Sequence, residues 1–244
     1  MDLKELNDVN IRRHPWETAR LKAVQRILAP FSCEKIKVLD VGCGDGFVSR
    51  GLFSKLQEKE ITAIDMHFSD EMIQRLAGSD NIRYRRELPD EGFFDLILLL
   101  DVLEHVADDR EFLANLVSKH LSPGGKMLIT VPAFQSLYSC HDTFLGHFRR
   151  YRLPGLVAVA TASRLTTISS GYLFLTLLLP KLVLFKFLDA GKGSDGVGRW
   201  RRGRIVTKFC EFMLTIDNSI LLAASRIGIR LPGLTGWVLC EKQK

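Results

Sequence analysis

The sequence is short of cysteine, of acidic relative to basic residues, and of long apolar runs, and each shortage excludes something. Its five cysteines, Cys33, Cys43, Cys140, Cys210 and Cys240, are odd in number, scattered and never spaced C-x-x-C. That argues against a disulfide framework or a zinc cluster, so we expect no metal site and a reducing, cytoplasmic setting. No stretch reaches the roughly 20 apolar residues of a membrane-spanning helix. The nearest, residues 172–188, is interrupted by Thr176, Pro180, Lys181 and Lys186. The first seven residues carry acidic side chains and no apolar core, so no secretory signal is expected. Internal repeats and low-complexity tracts are also missing. What remains is an ordinary globular composition over 244 residues, 46% apolar and 25% charged, which suits one large domain with an elaboration. Thirty-four Lys and Arg against 28 Asp and Glu give +6, favouring anionic partners such as phosphates, anionic lipid or nucleic acid without choosing among them.

Hydrophobic periodicity supplies the architecture. Helical spacing of Trp16, Ala19, Ala23, Val24, Ile27 and Leu28 predicts a helix over 15–29, with Pro15 in its first turn. Short β-branched or apolar runs predict strands over 36–41, 61–65, 82–85, 94–100 and 126–131. Helices are predicted after Gly46 and over 71–77 and 111–121, with a turn at Pro123-Gly124-Gly125. Alternating strands and helices call for an α/β, Rossmann-like doubly wound sheet, mostly parallel, whose ligand sits at the carboxyl ends of the strands.

The most informative stretch is Asp40-Val41-Gly42-Cys43-Gly44-Asp45-Gly46, a strand running into a glycine turn and a helix. Side chains at Gly42 or Gly44 would obstruct a ligand approaching the backbone, and the amides opening the helix can donate to it. A tight turn also needs glycine for its own sake, so the triplet alone is weak evidence. Asp65 stands nineteen residues beyond Gly46, at the end of the second strand, where a carboxylate can accept both hydroxyls of a ribose. A dehydrogenase would show G-x-G-x-x-G; here Phe47 replaces the third glycine, and Asp40 and Asp45 would repel a pyrophosphate but suit an ammonium and a sulfonium. S-adenosylmethionine is therefore the expected cofactor.

At this point the chain resembles the class I S-adenosylmethionine-dependent methyltransferases over residues 37–132. Asp95-Leu96-Ile97 with residues 101–106, and Leu121-Ser122-Pro123-Gly124-Gly125 before a strand, carry the likeness beyond the glycine motif. The resemblance implies a seven-stranded sheet with an antiparallel final strand. It also implies cofactor contacts from Asp40, Gly42, Cys43, Gly44, Asp45, Gly46, Asp65, Met66, Glu87, Leu88, Asp101, Val102 and His105. His14-Pro15-Trp16-Glu17 with Arg20, and residues 141–151, resemble a narrower group associated with bacterial cell-surface glycan and lipid-linked sugar pathways. In that group the first helix packs over the cofactor pocket.

Methyl transfer needs in-line positioning and, for a hydroxyl or amine acceptor, removal of a proton. His141 and His147 are candidate bases and Asp142 a base or an orienting group; Arg149, Arg150 and Tyr151 are candidate substrate contacts. The alternative is that Gly146-His147 turns the backbone and the arginines form a solvated face. Arg20 is open between a cofactor carboxylate and an ion pair. Strands over 165–169 and 235–240 close the sheet around a helical insertion. The expected divisions are a cap over 1–34, a core over 35–171, an insertion or lid over 172–232 and a final strand over 233–244. Apolar residues 172–188 and the run Arg199-Trp200-Arg201-Arg202-Gly203-Arg204 can cover the active site or contact an anionic inner membrane face through 172–204. The helix over 205–222 is expected to pack Phe209, Phe212, Met213, Ile216 and Ile220 against the first insertion helix. These features favour a small-molecule or lipid-linked glycan acceptor over RNA; the remaining alternative is a cofactor-binding partner protein without turnover.

Overall fold

The computed structural model describes residues 13–31, 35–54, 58–77, 82–187, 200 and 202–243. Cys33, Arg199, Arg201 and the stretches 1–12 and 188–199 of the expected cap and insertion lie outside them. The chain order is α1 (Pro15–Leu28), β1 (Lys35–Val41), α2 (Phe47–Phe53), β2 (Glu58–Ile64), α3 (Asp70–Ala77), β3 (Ile82–Arg85), β4 (Phe94–Leu100), α4 (Asp109–His120), β5 (Leu121–Pro132), α5 (Cys140–Leu145), α6 (Leu153–Ala162), β6 (Leu165–Leu173), α7 (Leu175–Phe187), α8 (Arg204–Arg226) and β7 (Thr235–Lys242). The strands form one sheet in the order β3-β2-β1-β4-β5-β7-β6, with β7 antiparallel to both neighbours. The order reverses beside β1, between β2 and β4, which opens a crevice at their carboxyl ends.

β4 shows why the sheet is stable. Leu96, Leu98 and Leu100 pack into the layer formed with α1, α2 and α8, while Ile97 and Leu99 pack into the layer formed with α4 and α6. Both faces are covered, so the strand reads as a continuous apolar run. Each fully buried leucine contributes about 1.5–3 kcal/mol. α1 starts at a capping box in which the His14 N–H donates to Glu17, with Pro15 where no backbone donor is needed.

Three expectations change. Pro123-Gly124-Gly125 is a bulge inside β5 rather than a turn before it: Leu121 pairs with Phe94 and Lys126 with Leu96, and Gly124 takes φ +72° to absorb the extra residues. β6 runs on to Leu173, so Tyr172 and Leu173 belong to the sheet and the helical insertion begins at α7. The third concerns α8. Its inward face carries Leu214, Asp217, Asn218, Leu221 and Leu222, with Asn218 donating to the Ala19 carbonyl of α1 and accepting from the Phe174 N–H. Phe209, Phe212, Met213, Ile216 and Ile220, expected against α7, face outward together with Ile205; Phe209 is 62% and Phe212 60% exposed. Asn218 and Asp217 win the inside because the backbone entering α7 needs their hydrogen bonds. Among the described residues no helix is long and apolar enough to cross a membrane.

Candidate active site

The glycine turn closes the carboxyl end of β1. Gly42 and Cys43 donate backbone N–H groups to the Ile64 carbonyl, pinning the turn to β2. Gly42 has φ +71°, and a Cβ there would lie 2.4 Å from Val102 Cγ2; at Gly46, φ +73°, it would lie 2.7 Å from the Tyr84 hydroxyl. Both positions therefore require glycine for conformation and for close approach. Asp65, 8% exposed at the end of β2, accepts from the Gly44 N–H and the His67 N–H, each at 3.0 Å. Those bonds hold the carboxylate at the crevice and leave lone pairs for further donors.

The expected cofactor residues divide into two groups. Gly44, Asp65, Met66, Asp101, Val102 and His105 stand at the strand ends around the crevice, with Met66 77% exposed and Leu88 half-buried. Glu87 is exposed. Asp40, expected among the cofactor contacts, is only 1% exposed; it lies beneath the turn and accepts from Ser49 Oγ at 2.6 Å, which ties it to α2. Burial pushes its carboxyl up to about 6, against the Ser49 hydrogen bond. Asp45 accepts from the Phe47 N–H and pairs with Arg13, which lies over the Phe47 ring. Burial, helped by Asp40 and Asp65, pushes the Cys43 thiol well up, so it stays neutral.

Arg20, which sequence left open, reaches from α1 across the end of β4. It pairs with Asp101 at 2.7 Å and donates to Thr130 at 2.9 Å, while Thr130 donates to Asp101. This network holds Asp101 at φ +60°, a conformation non-glycine residues rarely take. The Arg20 Nε–H is buried without a hydrogen-bond partner beside a narrow cavity lined by Trp16, Cys43, Asp45 and Phe47. An unused guanidinium donor, a turn of close-approach glycines and a ribose-height carboxylate fit an adenosine ligand carrying a carboxylate. A broader cleft of about 390 Å³, lined by Thr166, Ile168, Glu241, Lys242 and Gln243, lies at the opposite edge of the sheet.

The second half of the site is α5 and the segment after it. Asp142, fully buried, receives Arg150 Nε at 2.7 Å and Nη2 at 3.0 Å, the Ser139 N–H at 2.8 Å, and His147 Nδ1 at 2.9 Å. Burial alone would raise its carboxyl, but the hydrogen bonds from His147 and Arg150 outweigh it and hold the group well below the usual carboxylate range. Of the two expected roles for Asp142, base or orienting group, this pairing suits the orienting one. It fixes His147, whose ring stands edge-on to His105 with centroids 4.6 Å apart. His141 is half-buried on α5.

The expected substrate contacts, Arg149, Arg150 and Tyr151, all have partners within the chain. Arg150 is spent on Asp142 and on the Ala133 carbonyl; Tyr151 is buried and donates to Asp109 at 2.7 Å; Arg149 pairs with Asp109 at 2.9 Å. Burial, with Asp109 adding, pushes the Tyr151 phenol up. Sequence reasoning missed Glu104, fully buried between Leu103 and His105, whose carboxyl burial pushes well up with Asp101 adding. Its place next to His105 was the available signal. From α7, Lys181 is pushed down to about 8 by burial, with Arg150 opposing its charge.

A family model described as a methyltransferase domain matches residues 12–167. Among curated relatives, the ubiquinone biosynthesis O-methyltransferase of Rickettsia akari is 31% identical over 116 residues, 44% of this chain and 45% of that protein. The Rickettsia prowazekii protein of the same name is 32% identical over 149 residues, 52% of this chain and 58% of that one. The chain thus spans about half the length of the curated relatives it matches. Among solved structures, a putative sarcosine dimethylglycine methyltransferase from Galdieria sulphuraria is similar with TM-score 0.57 at 17% identity, covering 93% of this chain and 86% of that one. The N-methyltransferase NodS of Bradyrhizobium japonicum WM9 in complex with S-adenosyl-L-homocysteine gives 0.55 at 15%, covering 100% and 95%. At these identities the likeness is one of fold.

Proposed function

As this chain belongs to the methyltransferase family, for which S-adenosylmethionine is the donor, we propose that it methylates a hydroxyl of an amphiphilic acceptor, a lipid or lipid-linked glycan intermediate. Asp65 would hold the ribose hydroxyls, the Arg20 Nε–H would face the donor carboxylate, and Met66 and Leu88 would flank the adenine. Bound there, the donor supplies an already activated methyl group, so the chain's own work is positioning and proton removal.

The observation that carries this reading is the Arg150–Asp142–His147 array. A buried carboxylate held by an arginine fixes the ring orientation of a histidine whose Nδ1 is thereby occupied and whose Nε2 remains for chemistry. That ring marks where an acceptor hydroxyl loses its proton. The names of the curated relatives, O-methyltransferases, support oxygen as the acceptor atom. The outward stripe of α8 supports the acceptor class: Ile205, Phe209, Phe212, Ile216 and Ile220 lie along one helix face, with Arg202, Arg204 and Lys208 at its start. Such a face suits the boundary of an anionic bilayer, where an amphiphilic substrate resides.

The test incubates the protein and labelled donor with fractionated cell extract. Label is expected in lipid, and the Asp65→Ala control should lose donor affinity by about 2–4 kcal/mol. Flotation with anionic vesicles should be abolished by Phe209→Ser with Phe212→Ser. Label entering RNA, or wild-type protein that ignores the vesicles, refutes the acceptor class.

A further inference from the structure

Lys181 is a charged side chain for which neither donor binding nor proton removal has a use. β5 and β6 are both antiparallel to β7 and so run the same way, which brings the end of β6 to the edge of the sheet where the crevice opens. α7 begins there, just beyond Leu173, and packs on the turn Gln135–Leu137. Gln135 accepts the Arg150 N–H at 2.8 Å, so α7 lies against the segment that carries the Asp142 array. Lys181 follows Leu177 by four residues and Leu178 by three, which places it between them on one helix face. Leu178 on that face is buried, whereas Leu179 and Leu182 are exposed. The ammonium is thus carried inward and half-buried, where Arg150 and Asp142 are the charged groups whose fields reach it among the described residues.

Those two groups do not balance its charge. Asp142 is already shared among Arg150, His147 and the Ser139 N–H, and Arg150 brings a like charge. Among the described residues no carboxylate forms an ion pair with Lys181. Burial, with Arg150 adding, pushes the ammonium down to about 8, as expected of a cation withdrawn from water without a counter-ion of its own. We propose that Lys181, beside Arg150, is an anion site that binds a phosphate group.

Lysine meets phosphate as a point charge, and a phosphate monoester carries about −1.5 to −2 at pH 7, enough to offset the ammonium. The inference rests on the amphiphilic-acceptor reading for the source of that group, since phosphate is the head or linking group of such a lipid; a free phosphate ion offers the same chemistry. Asp142 neighbours both His147 and Lys181. A phosphate held at Lys181 therefore lies on the acceptor's side of the site, and its position selects which hydroxyl reaches His147 Nε2.

The full chain, first saturated with S-adenosyl-L-homocysteine, is titrated at pH 7 with octyl phosphate, octanol and inorganic phosphate in a calorimeter, beside Lys181→Met and Lys181→Arg. Octyl phosphate is expected to bind more tightly than octanol. Lys181→Met should weaken octyl phosphate by about 10–100-fold, the worth of one charge-assisted hydrogen bond, and leave octanol unchanged. Lys181→Arg should keep most of the affinity, which a merely structural lysine would not explain. Equal binding of octyl phosphate and octanol, or an unchanged phosphate preference in folded Lys181→Met, overturns the anion site and leaves the amphiphilic acceptor standing. Inorganic phosphate bound through Lys181 while neither octyl compound binds keeps the anion site and refutes the amphiphilic acceptor. Binding of neither phosphate overturns the proposal outright, and absence of heat for S-adenosyl-L-homocysteine refutes the donor reading independently of Lys181.

Discussion

Arg150→Met is the sharpest probe of the array behind α5. The substitution keeps the apolar stem but removes both guanidinium bonds to Asp142, at 2.7 and 3.0 Å, in a setting where Arg150 is 8% and Asp142 0% exposed. Removing one partner of a buried pair leaves an uncompensated charge, which typically costs about 3–5 kcal/mol. Asp142 keeps the Ser139 N–H and His147, so the lower half of that range is expected, and the melting midpoint should fall by about 6–16 °C. The pH dependence has a definite sign. A carboxyl held below its unfolded value contributes stability that is complete above about pH 4 and is lost as acid protonates it. The variant should therefore differ most from wild type at pH 7 and converge with it towards acid. Urea denaturation followed by far-UV circular dichroism at pH 7 and pH 3 measures both. A loss below about 1 kcal/mol at pH 7, or a loss unchanged at pH 3, would show that Arg150 does not compensate Asp142.

Gly42→Ala should destabilise the chain by roughly 1–3 kcal/mol and weaken donor binding, because it meets φ +71° and a Val102 methyl at 2.4 Å together. Adding Val102→Ala should recover the steric part only, and full recovery in denaturation and calorimetry would count against backbone strain. Asp40 titrates in the opposite sense to Asp142. Its carboxyl, near 6 when folded against an ordinary 3.8, favours the folded state at low pH, and that advantage of about 3 kcal/mol disappears between pH 4 and pH 6. Asp40→Asn should therefore gain on wild type across that window and hold level above it. A pH-independent difference in denaturation midpoint would contradict this.

Much of the site was legible because its signals are local. A strand, three glycines and a helix are contiguous, and Asp65 follows at a fixed interval because the intervening helix and strand have a set length. β4 was legible as an apolar run because both its faces are covered. The partners of Asp40 and Asp142 were not legible. Whether an aspartate faces ligand or core depends on Ser49 in one case and on Arg150 in the other, groups brought close by a helix start and a folded-back turn. Periodicity found the apolar stripe of α8 but could not say which side the rest of the protein takes, since Asp217 and Asn218 hold the inward face by bonds to residues some forty positions away.

The sequence by itself determined the alternation of strands and helices up to β5, the glycine cradle and the carboxylate beside it, because these follow from side-chain size and spacing along a single stretch of chain. Only tertiary structure decided which ionisable groups are spent on one another and which are left to act. Burial and pairing are properties of distance in space, and the residues that set them come from α1, β4, β5 and the segment after α5.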